Sequence, residues 1–404
     1  MGNRSMGSKP KVLIAGAGLG GLCAAAALLQ RGFDVEVYEQ AAELKEVGAG
    51  VQLSPNGTCV MHDLGLDEPL QEWGFEPAGK EIRLWDTGQT FKLFDLGAEA
   101  RERYGFPYMM MHRADLHRIL ADEVIRLKPD AIHLNARCSG FEQHAGGVRL
   151  VMEDGSVASG DVLVGADGLH SRVRQQMLGP HKATFTGGFA WRGVIPMNRL
   201  PARLAQPVGA NWVGPNGHII LYPVRRGELM NFVGHVERDD WQIESWTEVG
   251  TVEECLADFP GWSDDIREMI RNIEVPFKWA LFLREPLDKW GEGPVTLLGD
   301  ACHATLPYLA QGANMALEDA LVLARALDQY QSDPALALRR YEDARRERTT
   351  RIVNRSADNL NRFHNDALAD PLLAAAYAEK EWHPDRIRER YEWLFRYNAA
   401  TVPI

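Results

Sequence analysis

The stretch KVLIAGAGLGG, Lys11 to Gly21, limits the fold more than any other part of this 404-residue chain. A short apolar run, Lys11 to Ala15, stops at three glycines spaced GxGxxG (Gly16, Gly18, Gly21), and Leu22 to Gln30 continues with the Ala/Leu character of a helix. Phe33 to Glu39 returns to strand-type alternation, completing strand, glycine turn, helix and strand over about thirty residues. The first glycine permits a tight turn, the second lets backbone approach a pyrophosphate, and the third lets the helix pack closely on the strand. Unpaired N–H groups at the helix start would face the phosphates. Glu39, closing the second strand, would accept from ribose hydroxyls.

Two later segments repeat the theme of an acid beside a glycine at a strand end. Asp167-Gly168 follows VLVGA and Gly299-Asp300 follows VTLL, the position where open α/β sheets bind ligands. Together with Glu39 they imply a long polyhydroxylated ligand threaded across the sheet, although either one alone also suits a turn or helix cap. Ala114 to Leu127 reads as a helix, Gly147 to Glu153 and Val157 to Val164 as a hairpin around Asp154-Gly155, and Val295 to Leu298 as a buried strand. From Thr184 to Val236 the segments are short, aromatic and β-branched, with PNG and RRG turns between them. Helices follow over Leu317 to Tyr330 and Ala335 to about Phe363, with Asp370-Pro371 as punctuation.

The fold class expected is therefore α/β: a Rossmann-type nucleotide-binding domain with an inserted, mostly antiparallel β-sheet domain and C-terminal helices. The division expected is 10–80, 106–182 and 276–340 for the first, 81–105 and 183–275 for the second, and 341–404 for the helical region.

A formal net charge of −12 argues against nucleic acid as a partner. The Arg345–Arg348 run alternates with Glu and reads as a solvated helix face. Five scattered cysteines without zinc spacing imply reduced thiols and no metal. The opening MGNRSMGSKPK has no apolar leader segment and no run reaches membrane-spanning length. The expectation is a cytoplasmic protein without stable membrane association, a monomer or homodimer.

GAGLGG with Glu39, DGLHSRVR at Asp167–Arg174, and LLGDACHATLPYLAQGANMALEDA at Leu297–Ala320 stand in order along the chain. This set resembles the class A flavoprotein aromatic hydroxylases, the para-hydroxybenzoate hydroxylase group. The resemblance implies FAD as cofactor, O2 and NAD(P)H (NADH favoured) as co-substrates, and oxygen transfer from a flavin C4a-hydroperoxide to a small aromatic acid. By it, Gly16, Gly18, Gly21 and Glu39 hold the adenosine half, Asp300 the ribityl chain, and Arg113 and Asp167 further parts of the FAD. Pro307, Gly312, Ala313 and Asn314 would lie along the isoalloxazine. Only one fingerprint is present, which fits transient nicotinamide binding near a mobile flavin, assisted by Asp167 and Arg174. Ala310 stands where the family often has glycine.

On the substrate side, alternation in HIILYPV puts His218, Ile220 and Tyr222 on one strand face. Electrophilic attack on an aromatic ring is helped by converting a phenol to its phenolate, and histidine, titrating near neutrality, suits that deprotonation. His218 is thus the candidate base, acting with Tyr222 on the substrate hydroxyl. NGHIILYPV, RYGFPYMMMHRADLH and EVGAGVQLSPNG resemble the salicylate hydroxylase, 3-hydroxybenzoate 6-hydroxylase and 6-hydroxynicotinate 3-hydroxylase subgroup. That likeness adds Gln52 and Pro307 as substrate contacts. Cys302 and His303 lack partners at metal-ligand spacing, and His112 and His117 read as structural. An FAD-dependent oxidase or dehydrogenase and a non-catalytic redox sensor share the fingerprint and stand as alternatives.

Overall fold

The computed structural model describes residues 9–44, 49–180, 182–238, 240 and 248–404. The opening residues and the start of EVGAGVQLSPNG, both used above, fall outside the described residues. Lys11–Ala15 is a central strand because its apolar run can be covered on both faces, and Val12 to Ala15 are fully buried. Among the described residues, six strands form its sheet, in the order Gly291–Glu292, Val295–Leu297, Val162–Gly165, Lys11–Ala15, Asp34–Tyr38 and Ile132–His133. All neighbours pair in parallel except the Gly291–Glu292 edge. Parallel pairing brings Gly16, Glu39, Asp167 and Asp300, each just past a strand, to one edge of the sheet. Helix Leu19–Gln30 packs its all-round Ala/Leu surface between this sheet and neighbouring helices, with Leu22 to Leu28 fully buried.

The expected hairpin is divided. Gly147–Met152 pairs antiparallel with Val157–Gly160, but Val162–Gly165 crosses into the parallel sheet. The crossing occurs where a Cβ on Gly160 would meet Leu13, and where Asp161 bonds Lys11 by backbone and carboxylate.

The second sheet has eight strands among the described residues, in the order Glu248–Val249, Phe277–Leu283, Thr184–Pro196, Leu229–Glu237, Gly217–Val224, Val208–Gly214, Gly79–Leu84 and Thr90–Asp95. It is antiparallel except where Val208–Gly214 runs beside Gly79–Leu84. Alternation separates its faces. Ile219 and Leu221 join Trp191, Trp212, Phe259 and Trp262 in one core, whereas Tyr222 and Val224 join Phe363, Trp382 and Leu394 in another. The chain ends in helices Gly312–Gln329, Pro334–Phe363, Pro371–Glu381 and Pro384–Phe395, Asp370 capping the third. No described helix is long and apolar enough to cross a membrane.

Candidate functional site

The three glycines do different work. A Cβ on Gly16, whose φ is +104°, would lie 2.5 Å from the Ala166 carbonyl oxygen, and one on Gly21 would lie 2.0 Å from that of Gly16. A Cβ on Gly18 meets nothing within 4 Å and would project into open space. Gly18 is also the N-cap of helix Leu19–Gln30 and supplies no side-chain cap, so the first N–H groups of that helix are left for a ligand.

That open space is one of three cavities in series. The first, about 480 Å³, runs from Glu39 and Arg137 past Gly16 and Gly18 to Gly168. The second, about 110 Å³, shares Gly18, Ala166 and Gly168 with it and reaches Arg113 and Asp300. The third, about 190 Å³, shares Arg113, Asp300, Gly312 and Ala313 with the second and ends at His218. The three cavities thus lead from the glycine loop to the inserted sheet. Glu39 borders the start of this path while its two carboxylate oxygens accept from the N–H groups of Ala17 and Ala41. A separate cavity of about 290 Å³ beside helix Pro384–Phe395 touches none of these residues.

Three of the expected residues have side chains engaged within the protein. The Asp167 carboxylate borders the first cavity but accepts from Ser171 Oγ, Arg172 N and Val173 N at 2.5, 2.7 and 3.2 Å, holding the start of helix Arg172–Leu178. Arg174, buried, donates to the carbonyls of Ala301 and Leu169. Asn314 is fully buried behind the loop. Its Nδ2 donates to the Gln52 and Ala310 carbonyls and its Oδ1 accepts from Ser54 N, so its side chain ties the Gln52 strand to the loop. Gly312, Ala313 and Pro307 do border the third cavity. Ala310, at the family's glycine position, takes the left-handed conformation with φ +54°.

The Arg345–Arg348 reading is also overturned. Arg345 is fully buried, pairing with Glu318 at 2.6 Å and Asp319 at 2.7 Å, and Arg348 pairs with Glu318 at 2.8 Å. Asp319 further meets His303 Nε2 at 2.5 Å and the Gly299 N–H at 3.2 Å. Burial pushes both carboxyls up, yet Arg348 and Arg345 hold Glu318 below the usual range, and His303 and Arg345 do the same for Asp319. Cys302, His303 and Asp319 thus come together in space, with Asp319 committed to this ion network.

On the inserted sheet, cross-strand register lays out the far wall of the third cavity in rows. His218, His235, Ala190 and Trp279 form one row, and Ile220, Val233 and Arg192 the next. Tyr222 and Asn231 lie beyond. His218 and Tyr222 share a face as expected, but four residues of strand separate them by about 13 Å. Their surroundings differ accordingly. Tyr222 lies near Arg192 and takes a hydrogen bond from Gln52, whose Oε1 accepts from Lys80 Nζ at 2.9 Å and Tyr108 OH at 2.6 Å. Both nevertheless border the same cavity.

Around His218 the structure gathers residues that sequence reading missed. Its Nδ1 lies 2.6 Å from His364 Nε2, 146 residues away. Its ring stacks on His235, whose Nε2 meets the Tyr308 hydroxyl at 3.0 Å. Burial, then His364 and His235, hold His218 well below its ordinary pKa, so the imidazole is neutral. His235 was findable: Val233, His235 and Glu237 alternate on their strand as His218, Ile220 and Tyr222 do. His364, just past a long helix, carries no such signal. His112 caps helix Arg113–Leu127 and His117 bonds the Ala17 carbonyl.

Known proteins align with this architecture end to end. The 3-amino-4-hydroxybenzoate 2-monooxygenase of Streptomyces platensis is 38% identical over 399 residues, 98% of each chain. The 3-hydroxybenzoate 6-hydroxylase of Polaromonas naphthalenivorans is 37% identical, over 96% of each. The crystal structure of Klebsiella pneumoniae HpxO, complexed with FAD and uric acid, superposes with a TM-score of 0.83 at 29% identity, over 97% of each chain. The profile of the FAD binding domain family matches residues 9–356, and this chain belongs to that family.

Proposed function

We propose that the chain is an FAD-dependent monooxygenase that uses NAD(P)H and O2 to hydroxylate a small phenolic aromatic acid. The observation that carries this reading is the wall of Arg113, Asp300, Gly312 and Ala313 shared by the glycine-loop path and the His218 cavity. A cofactor lying along that path would bring its reactive end to the pocket, where His218 would be the base at one end and Arg192 the cation toward the other. Glu39, Gly16 and Gly18 would hold the nucleotide half of FAD, and Arg113, Asp300, Pro307, Gly312 and Ala313 the flavin half. When bound, FAD supplies the activation of O2 with electrons taken from the nicotinamide.

The remaining work belongs to the chain. Helix Gly312–Gln329 begins at the cavity with no side-chain cap, so its N-terminal N–H groups and dipole favour negative charge there. Ile220 and Val233 supply an apolar floor for an aromatic ring. Arg192, Tyr222 and Gln52 receive the substrate carboxylate, and His218 takes the phenol proton, leaving the electron-rich phenolate. The named activities of the relatives support the substrate class. The divisions 10–80, 106–182 and 276–340 against 81–105 and 183–275 are the cofactor and substrate units of this reading. A second reading, an oxidase or a redox sensor, has no need of a base facing the cavity.

The test is NAD(P)H oxidation by the FAD-loaded protein with salicylate, 3-hydroxybenzoate, 6-hydroxynicotinate and 3-amino-4-hydroxybenzoate in turn. At least one should accelerate oxidation and yield a hydroxylated product. Oxidation indifferent to all four would favour the sensor, and O2 consumption without NAD(P)H the oxidase.

A further inference from the structure

We infer that Glu237, His364 and His218 form a proton relay that carries the substrate's phenolic proton from the buried cavity to solvent. His218 is 1% exposed and borders the cavity. Its Nδ1 faces His364 Nε2 at 2.6 Å, and His364 Nδ1 faces Glu237 Oε1 at 2.5 Å. Along this line side-chain exposure rises from 3% at His364 to 41% at Glu237. The chain thus leads from a dry base to a wet carboxylate through two hydrogen bonds.

The relay answers a difficulty that burial creates. A neutral, desolvated imidazole accepts a proton readily only if the charge does not stay on it. With Nδ1 committed to His364, Nε2 is the atom of His218 left to meet the substrate. As the phenol O–H breaks, its proton goes to His218 Nε2, the Nδ1 proton passes to His364 Nε2, and the His364 Nδ1 proton passes to Glu237, which releases it to water. Both imidazoles end neutral in the opposite tautomer. The product phenolate then recovers its proton from His218 Nε2, and the reverse transfer resets the line. Glu237 is held below its ordinary carboxyl pKa by the His364 hydrogen bond, as a terminal acceptor requires of its resting, ionised form.

The other groups facing His218 do not provide this exit. His235, stacked on it from the adjacent strand, is 1% exposed, and among the described residues its Nδ1 meets no partner. Tyr308, from the turn Pro307–Leu309, bonds His235, and Phe363 is apolar. Beside Glu237, Arg238 is engaged by Asp240 and Asp258. His364 also lies past residue 356, where the family profile ends. The line therefore joins two residues inside the matched region, His218 and Glu237, to one from the C-terminal region beyond it.

The inference rests on the proposed phenolic substrate but is tested without turnover. FAD-loaded protein, without NAD(P)H, is mixed in weakly buffered solution with 3-hydroxybenzoate or 6-hydroxynicotinate, and proton release is followed with a pH indicator. Wild type should release a proton promptly on binding. In Glu237→Gln and His364→Ala the release should slow by at least about ten-fold, at unchanged FAD content. Added imidazole should restore the His364→Ala rate, which a structural role alone would not produce. Release at the wild-type rate in both variants, or none in wild type with bound ligand, overturns the relay. Whether wild type forms hydroxylated product is a separate result, so failure of the relay is distinguishable from failure of the proposed reaction.

Discussion

The Arg345 guanidinium and the Asp319 carboxylate form a fully buried ion pair, Nε to Oδ1 at 2.7 Å, joining helix Pro334–Phe363 to helix Gly312–Gln329. Asp319 in turn accepts the N–H of Gly299, the residue before Asp300. The cofactor-side loops are thus braced from behind by charges that water cannot screen. Removing one partner of such a pair leaves a buried charge uncompensated, at a cost of about 3–5 kcal/mol. Arg345→Met should lower stability by that amount in denaturant titration at pH 7. Asp319 and Glu318 have depressed pKa values, so the stability they contribute is present above the ordinary carboxylate range and lost as pH falls below it. The deficit of the variant should accordingly narrow at low pH.

Gly18 and Gly21 should fail in different ways. Gly18→Val adds atoms to open space, so the protein should fold normally yet purify with little FAD, as read from its flavin absorbance. Gly21→Ala places a Cβ 2.0 Å from a backbone oxygen and should lower the unfolding temperature. Full flavin occupancy in Gly18→Val would remove the phosphate from this loop.

Lys80 pits stability against function. Its ammonium is buried among Gln52 and Tyr108, and burial lowers its pKa from 10.5 to about 8. Below pH 8 the folded protein carries the full penalty. Between pH 8 and 10.5 the unfolded chain binds more protons than the folded one, so stability contributed by this site rises with pH. Lys80→Met should stabilise the protein by about 2 kcal/mol near pH 7, the gain from removing a buried charge less one hydrogen bond. The gain should fade toward pH 10. Because Lys80 orients Gln52 at the carboxylate end of the pocket, KM for the aromatic acid should rise while kcat changes little.

The fold was legible where local chemistry is strong. Gly16 and Gly18, the Glu39 strand end and the alternation of His218, Ile220 and Tyr222 all declare themselves within a few residues, and each borders the cavity path or its far wall. Positions decided by distant partners were not legible. Arg345 looks like any charge on an E/R-rich helix until Glu318 and Asp319 are brought against it. His364 has no periodic context and matters only because its helix ends against the inserted sheet. Asp167 borders the first cavity while its carboxylate holds the backbone of its own loop, and Asn314 ties the Gln52 strand to the Ala310 loop; neither engagement is visible from the motif alone.

His218→Ala removes the group that takes the phenol proton. General-base assistance is worth about 10²–10⁴ in rate, so hydroxylation should fall within that range with FAD content intact. Burial holds the His218 pKa well below its ordinary value, so wild type should keep its base unprotonated, and its activity, to pH values below the usual histidine titration. The variant should instead regain activity as pH rises toward the phenol's own pKa. Tyr222→Phe should mainly raise KM, since it lies at the other end of the pocket. A wild-type rate in His218→Ala across pH 6 to 9 would assign proton removal to another group.

Labelled oxygen tests the central claim most directly. The FAD-loaded protein, NAD(P)H and the most stimulating aromatic acid are incubated under 18O2, and the product is examined by mass spectrometry. The expected result is a hydroxylated acid carrying one 18O atom per NAD(P)H consumed. Complete recovery of the oxygen as hydrogen peroxide, with the aromatic acid unchanged, would contradict it.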